Sequence, residues 1–308
     1  MIASIEKQRS SIIKENSIKA IFVACAILSI FTTIGIVIVL FAETTQFFQE
    51  IPLLEFLTAQ KWNPTMSPAE FGILPLISCT LAFTLTTSLI ALPTGLLAAV
   101  YLSEYASTRV RSIIKPALEV LAGIPTVVYG YFALIYVTPF LKHTIFPGIK
   151  TFNVLSASIV VGIMIIPTIA SISEDAMRAV PKSLREAGFG LGVTKFQIVL
   201  TVVIPAALSG IVSSFILGIS RAIGETMAVT IAAGNYPKLV NFFKPAEVFL
   251  EPIQTMTAAM VEIGMSDVSG NSIAYKSLFA VGFTLFIMTM LLNLFSQYIK
   301  SKYRERYE

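Results

Sequence analysis

Two charged residues stand where this chain otherwise carries none. Arg221 and Glu225 lie inside the apolar run from Pro205 to Asn235, with no other charge between those limits. Read as one helix, that run puts both side chains on a single face, four residues apart. Arg221 is then roughly 24 Å from Pro205 and roughly 21 Å from Asn235. A charge so deep in an apolar span is costly and normally faces a bundle interior or a water-filled path. One reading is a self-neutralising structural pair. The other is that Arg221 meets an anion in transit, because the planar guanidinium fork suits a tetrahedral oxyanion. Gly218, Ser220, Ala222 and Gly224 keep the neighbouring surface small. On the second reading, Glu225 repels a fully ionised guest but accepts a hydrogen bond from one that still carries a proton.

A second constellation is the stretch Glu186 to Pro205, EAGFGLGVTKFQIVLTVVIP, between two long apolar runs. Glu174, Asp175, Arg178, Lys182 and Arg185 crowd its approach, which argues for a loop in water. Pro181 suits the first turn of a short helix. Gly188, Gly190 and Gly192 are expected to break that helix, and Thr194 to cap a second one running towards Pro205. Two short helices meeting at a glycine corner make a handle that a separate motor subunit can grip. The glycines do not form a nucleotide-binding loop, since no strand precedes them and no Gly-Lys-Ser/Thr closes them. ATP hydrolysis is therefore expected of a partner, with ATP and Mg bound there and no cofactor in this chain.

The elements that must hold these residues follow from composition. Of 308 residues, 55% are apolar and 13% are charged, against about 25% charged in soluble domains. The solvent for most of the chain is lipid. The net charge of +4 reads as an inside/outside bias, not as a nucleic-acid footprint. Cys25 and Cys79 sit in apolar runs as small packing residues, without a disulfide framework. The single His143 is an ordinary loop residue. No internal repeat or low-complexity segment is visible.

Six spans are expected. Residues 1–19 are a basic cytoplasmic segment. The first span, Ala20 to Ala42, is too long for a cleaved signal peptide, and 43–70 is an external loop with a short interfacial helix over Pro52 to Ala59. The core, 71–299, begins with Phe71 to Ser103, where Pro93 can introduce a kink. Pro116 to Leu141 follows, bendable at Gly123, Pro125 and Gly130, with Glu119 snorkelling beside Lys115. Thr151 to Ser173 precedes the cytoplasmic loop 174–204. Pro205 to Asn235 is the fifth span, and 236–276 is the largest external segment, with an amphipathic helix near Ala246 to Ile263. Ser277 to Ile299 is the sixth span, and 300–308 is the tail. With both termini inside, the inner segments hold fifteen Lys/Arg and the outer ones six, at similar total length. That asymmetry places the termini and the handle in the cytoplasm.

The handle resembles the EAA loop of ABC importer permeases: Glu186, Ala187, Gly188 in place of the second alanine, Gly192 four positions on, and Val202-Val203-Ile204-Pro205 at the end. The resemblance implies that Arg185, Glu186, Ala187, Gly188, Gly192 and Pro205 couple to the ATPase. Three further runs are similar to the phosphate-specific (Pst) importer permeases: Ala98 to Ala106, Ala122 to Gly130 and Ser220 to Ala228. The likeness covers about residues 70–299 and is closer to the PstC subunit than to PstA. It implies an all-α integral membrane protein with six transmembrane helices of the type I ABC importer kind, in a bacterial inner membrane. It also implies a PstA-type second permease, two PstB-type ATPase subunits, and a PstS-type binding protein delivering inorganic phosphate to a path that includes Arg221 and Glu225. Hydrogen phosphate carries the proton that Glu225 could accept; sulfate at neutral pH does not. Competing readings are an importer of another oxyanion or phosphonate, a gradient-driven anion transporter or channel, and a membrane-embedded enzyme. The second has no need of the handle, and no catalytic cluster supports the third.

Overall fold

The computed structural model describes the backbone of residues 2–302, with side chains at Glu15 and over 18–298. The last six residues of the tail, and the side chains of Lys7, Arg9, Lys14, Lys300 and Lys302, lie outside the described residues. Helix α1 spans Ile2–Glu50, so 43–50, expected as loop, is helical. No Gly or Pro interrupts the chain between Gly35 and Pro52, and Phe47 is drawn into a buried aromatic cluster. Helix α2 (Leu53–Thr58) lies within the expected interfacial helix. A short antiparallel pair, β1 (Trp62–Asn63) and β2 (Glu70–Phe71), follows.

Helix α3 (Leu74–Val100) runs into a π-helical segment, Tyr101–Tyr105. The next expected span, Pro116 to Leu141, is not one helix. Helix α4 (Thr108–Gly123) starts at Ser107, whose hydroxyl accepts from the Val110 N–H. It stops before Pro125, whose ring disfavours helical backbone at Ile124. Helix α5 (Thr126–Phe132), a π-helical segment (Ala133–Val137) and α6 (Thr138–Thr144) then leave at 90° to α4. His143 lies in the last turn of α6 and not in a loop.

Helix α7 (Val154–Arg178) is capped by the Asn153 side chain, which accepts from the Ser156 N–H. It continues past Ser173 and carries Glu174 and Asp175 with it. The handle comprises α8 (Lys182–Gly190), α9 (Lys195–Ile198), a π-helical segment (Val199–Val203) and α10 (Ile204–Ala206). The chain turns by 73° into α11 (Leu208–Ile223), and α12 (Met227–Ala233) follows a break. The expected amphipathic helix in 236–276 is two pieces, α13 (Pro245–Phe249) and α14 (Met256–Met265). Pro252 lies between them, and α14 buries Met256, Ala259 and Ile263 in the core. Helix α15 (Ile273–Lys302) ends the described chain.

Among the described residues, four helices are long and apolar enough to cross a bilayer, and up to six spans result if each of the two bent pairs counts as one. The centre is α3, α7 and α11. Ile169 of α7 is wedged between glycines of both neighbours. A Cβ on Gly95 would come within 2.7 Å of its side chain, and one on Gly218 within 3.0 Å. Small residues at such crossings let the backbones approach, which is how helices associate in lipid. Cys79 is buried there, Cys25 is exposed, and neither is paired.

Candidate functional site

The helix that carries Arg221 ends two residues after it. Gly224 terminates α11, Glu225 lies outside any helix, and α12 begins at Met227. The expectation of Arg221 and Glu225 on one helical face is therefore corrected: they flank a break. The break also explains how two charges are tolerated. Arg221 occupies the last turn of α11, where unpaired carbonyls favour a cation. Glu225 sits at the start of α12 and its Oε1 accepts from the Ala228 N–H at 3.3 Å. Each charge is matched to the helix end beside it, and discontinuous helices within membranes are recurrent binding geometry.

The two side chains also differ in exposure. Glu225 is buried and its carbonyl accepts from the Thr257 hydroxyl at 2.8 Å. Arg221 is exposed on the surface of this single chain, and its Nη1 donates to Thr168 Oγ1 of α7 at 3.4 Å. That one long bond leaves most of its five donors unspent. Beside it in sequence, Ser220 Oγ is buried without a hydrogen-bond partner among the described residues. No ion pair joins Arg221 to Glu225 among the described residues. Position by position, the geometry gives Arg221 the capacity to take an anion and gives Glu225 a cap to hold. Thr168 is a neighbour that sequence reasoning missed; a threonine in an apolar helix carries no distinguishing signal.

The handle forms for local reasons, with one correction. Gly188 and Gly190 do not break α8, which runs through both. Only Gly192 turns the chain, with φ of +78°. The Gly192 N–H donates to Phe189 O at 3.0 Å and the Val193 N–H to Gly188 O at 3.2 Å, a glycine-closed helix end. Thr194 then caps α9 in a reciprocal box with Gln197. Gly188 serves packing: a Cβ there would meet Ile198 at 2.9 Å. Glu186, Ala187 and Gly192 are exposed, and Pro205 is exposed just before the 73° turn.

Arg185 points the other way. Its Nη2 donates to Glu104 Oε1 and to Met177 O, each at 2.8 Å, and Nη1 donates to Val180 O at 2.7 Å. It therefore ties α8 to the end of α7 and to the Tyr101–Tyr105 segment. Lys195 adds a second tie, with Nζ 4.8 Å from the centre of the Tyr105 ring. Among its exposed residues the handle presents three large apolar ones: Phe189, Leu191 and Phe196 are 52%, 83% and 64% exposed. These three were legible as large apolar residues in a charged neighbourhood, a signal the glycine pattern overshadowed.

Glu174, expected in water, is fully buried. It forms close ion pairs with Arg111 and Lys115 of α4, the latter at 3.5 Å, and Lys115 also reaches Asp175 at 3.2 Å. Lys115 thus has those partners instead of the exposed Glu119.

Comparison with known proteins agrees with this architecture. Residues 91–305 match the family described as binding-protein-dependent transport system inner membrane component. The chain is 35% identical to the probable ABC transporter permease protein YqgH of Bacillus subtilis, over 92% of this chain and 90% of that protein. It is 33% identical to the phosphate transport system permease protein PstC of Mesorhizobium japonicum, over 90% of this chain and 86% of that protein. Among solved structures, a bacterial alginate ABC transporter in complex with its alginate-bound periplasmic protein superposes with a TM-score of 0.66 at 12% identity, covering 92% of this chain and 94% of that one. The inward-facing MetNI methionine ABC transporter gives 0.54 at 19% identity, covering 76% and 95%. These likenesses establish the fold, and the sequence match establishes the lineage: this chain belongs to the family of binding-protein-dependent transport system inner membrane components.

Proposed function

We propose that this chain is the PstC-type permease subunit of an ATP-driven importer of inorganic phosphate in a bacterial inner membrane. A PstA-type permease completes the path, a PstB-type ATPase pair grips the handle, and a PstS-type protein delivers phosphate from outside. Both termini lie in the cytoplasm, as the Lys/Arg asymmetry favours. The chain cycles by alternating access, with its own residues binding and releasing the anion and the partner hydrolysing ATP.

The observation that carries this reading is Arg221: an exposed guanidinium at a helix break, holding one long hydrogen bond, on a face left uncovered in the single chain. A second permease packed on that face encloses the guanidinium in a path instead of lipid. One such cation binds an oxyanion bidentately yet loosely enough to let it leave. The buried Glu225 caps α12, and through that cap keeps the break open beside Arg221. Small closely packed glycines, apolar handle residues and the inward clamp of Arg185 support the coupling role.

Copurification from membranes, followed by reconstitution, tests the proposal. A second permease and an ATPase should accompany the chain, and binding protein with phosphate should stimulate hydrolysis. Arg221→Ala should lower phosphate uptake by about a hundredfold, the equivalent of losing one charge-assisted bidentate contact, with assembly intact. Uptake that ignores Arg221→Ala, or that favours sulfate or a phosphonate over phosphate, overturns it.

A further inference from the structure

At the handle end of α7 a fully buried carboxylate remains that the anion contact does not use. Glu174 is paired with Arg111 and Lys115, both from α4. A buried ion pair gains little stability over apolar packing of the same shape, because desolvation offsets the attraction. Its presence here calls for another role.

Glu174, Ser171 and Thr168 are spaced three apart on α7 and line one side of a cavity of about 190 Å³. Lys115, Leu118 and Glu119 of α4 cover its other side. Thr168 is the residue that accepts from Arg221. The cavity therefore begins at the hydroxyl holding Arg221 and ends at the Glu174 ion pairs. Its cover, α4, lies at the surface of the single chain: none of its residues is buried, and a 90° bend follows it at Gly123 to Pro125. Its other end follows Glu104, the carboxylate that Arg185 of the handle holds.

We propose that Glu174 is the latch of an inner gate, holding α4 through Arg111 and Lys115 over the cavity below Arg221, with Arg185 and Glu104 passing handle motion to it. This rests on the reading of the chain as a coupled permease with Arg221 on the anion path. The latch has two stable settings. With α4 closed, the Glu174 carboxylate is dry and paired with two partly exposed cations. With α4 swung away, water fills the cavity and hydrates all three. Intermediate positions leave a buried carboxylate unpaired and dry, which is the costly arrangement. Glu174 is in this sense a positioning residue and need not touch the anion.

The test uses the whole complex, with second permease, ATPase and binding protein, in liposomes without nucleotide. In a Cys25→Ser/Cys79→Ala background, Ser171→Cys reports the cavity by its rate of reaction with a charged maleimide. Glu174→Gln should raise that rate by about tenfold or more, as expected for loss of a buried ion pair. It should also raise ATP hydrolysis in the absence of phosphate. Lys115→Gln, on the accessible side of the pair, should act in the same direction and serves if Glu174→Gln does not assemble. Glu174→Asp, which keeps a carboxylate opposite Arg111 and Lys115, should label closer to the unsubstituted rate than Glu174→Gln does. Assembled variants that label at the unsubstituted rate overturn the latch. Phosphate uptake by the unsubstituted complex is scored separately: absent uptake with faster labelling in the variants refutes the phosphate reading and leaves the latch standing.

Discussion

The two ends of the bundle are held together by different physics. At the end away from the handle, the tip of α1, the helix α2, the hairpin and α14 meet in an aromatic cluster. Phe47 stacks edge-on with Phe56 and Phe71, each at 5.5 Å, and Trp62 meets Phe71 at 6.4 Å. At the handle end, a small apolar cluster around Met177, Ile198 and Val203 is girdled by charges: Arg185 on Glu104, Arg111 and Lys115 on Glu174, Lys195 on Tyr105. Interlocked aromatics have one good arrangement and resist displacement. Ion pairs, unlike interlocked rings, can exchange their partners for water when the helices that carry them part. If the chain works as proposed, this contrast suits the first end to anchoring and the handle end to motion.

The largest effects should come from striking each end at its centre. Arg185→Ala leaves Glu104 without its partner and the carbonyls of Met177 and Val180 without a donor, a loss of about 3–5 kcal/mol by thermal unfolding of the purified complex. Phe56→Ala should cost a similar amount, about 3–5 kcal/mol, by opening a cavity. The two should part in coupling: Arg185→Ala lowers phosphate transported per ATP, whereas Phe56→Ala leaves that ratio unchanged. Equal coupling in both variants breaks the contrast.

Within the handle, Gly188→Ala forces a methyl against Ile198 at 2.9 Å and should destabilise α8 against α9 by about 1–3 kcal/mol. Ile198→Val in the same chain should recover part of it. Thr194→Ala should cost about 1 kcal/mol, read as faster amide exchange in Lys195–Ile198 with no change elsewhere. The smallest effect belongs to the segment between α12 and α14. There Lys238 donates to Glu251 at 2.5 Å and holds that carboxyl below the usual glutamate range. A lowered carboxyl contributes stability that is full above the ordinary range and is lost as pH falls through the lower folded value. The pair is partly exposed, so the gain is under about 1 kcal/mol. Glu251→Gln should flatten this acid dependence in hydrogen exchange over 236–253.

The handle was legible in the sequence because each of its parts acts within a few residues: Pro181 before α8, Gly192 at the corner, Thr194 with Gln197. Arg221 was legible because a charge in an apolar run announces itself. The break at Gly224 was not, since a glycine among small residues reads equally well as close packing within one continuous helix. Arg185 was legible only as part of a motif. Its inward direction depends on Glu104, which arrives from another helix.

Composition and local order by themselves determined that this chain is a helical membrane protein with two short helices meeting at a glycine corner and an arginine set in an apolar run. These follow from lipid as solvent and from turn and cap chemistry, which involve only neighbours in sequence. Only the tertiary structure decided that Glu174 is buried. Its partners come from α4, some sixty residues earlier, and reach it only because the chain bends by 90° between Gly123 and Thr126. A charge that reads as solvated along the chain becomes a dry ion pair when a distant amphipathic helix folds across it, because burial is a property of what packs around a residue and not of its neighbours in sequence.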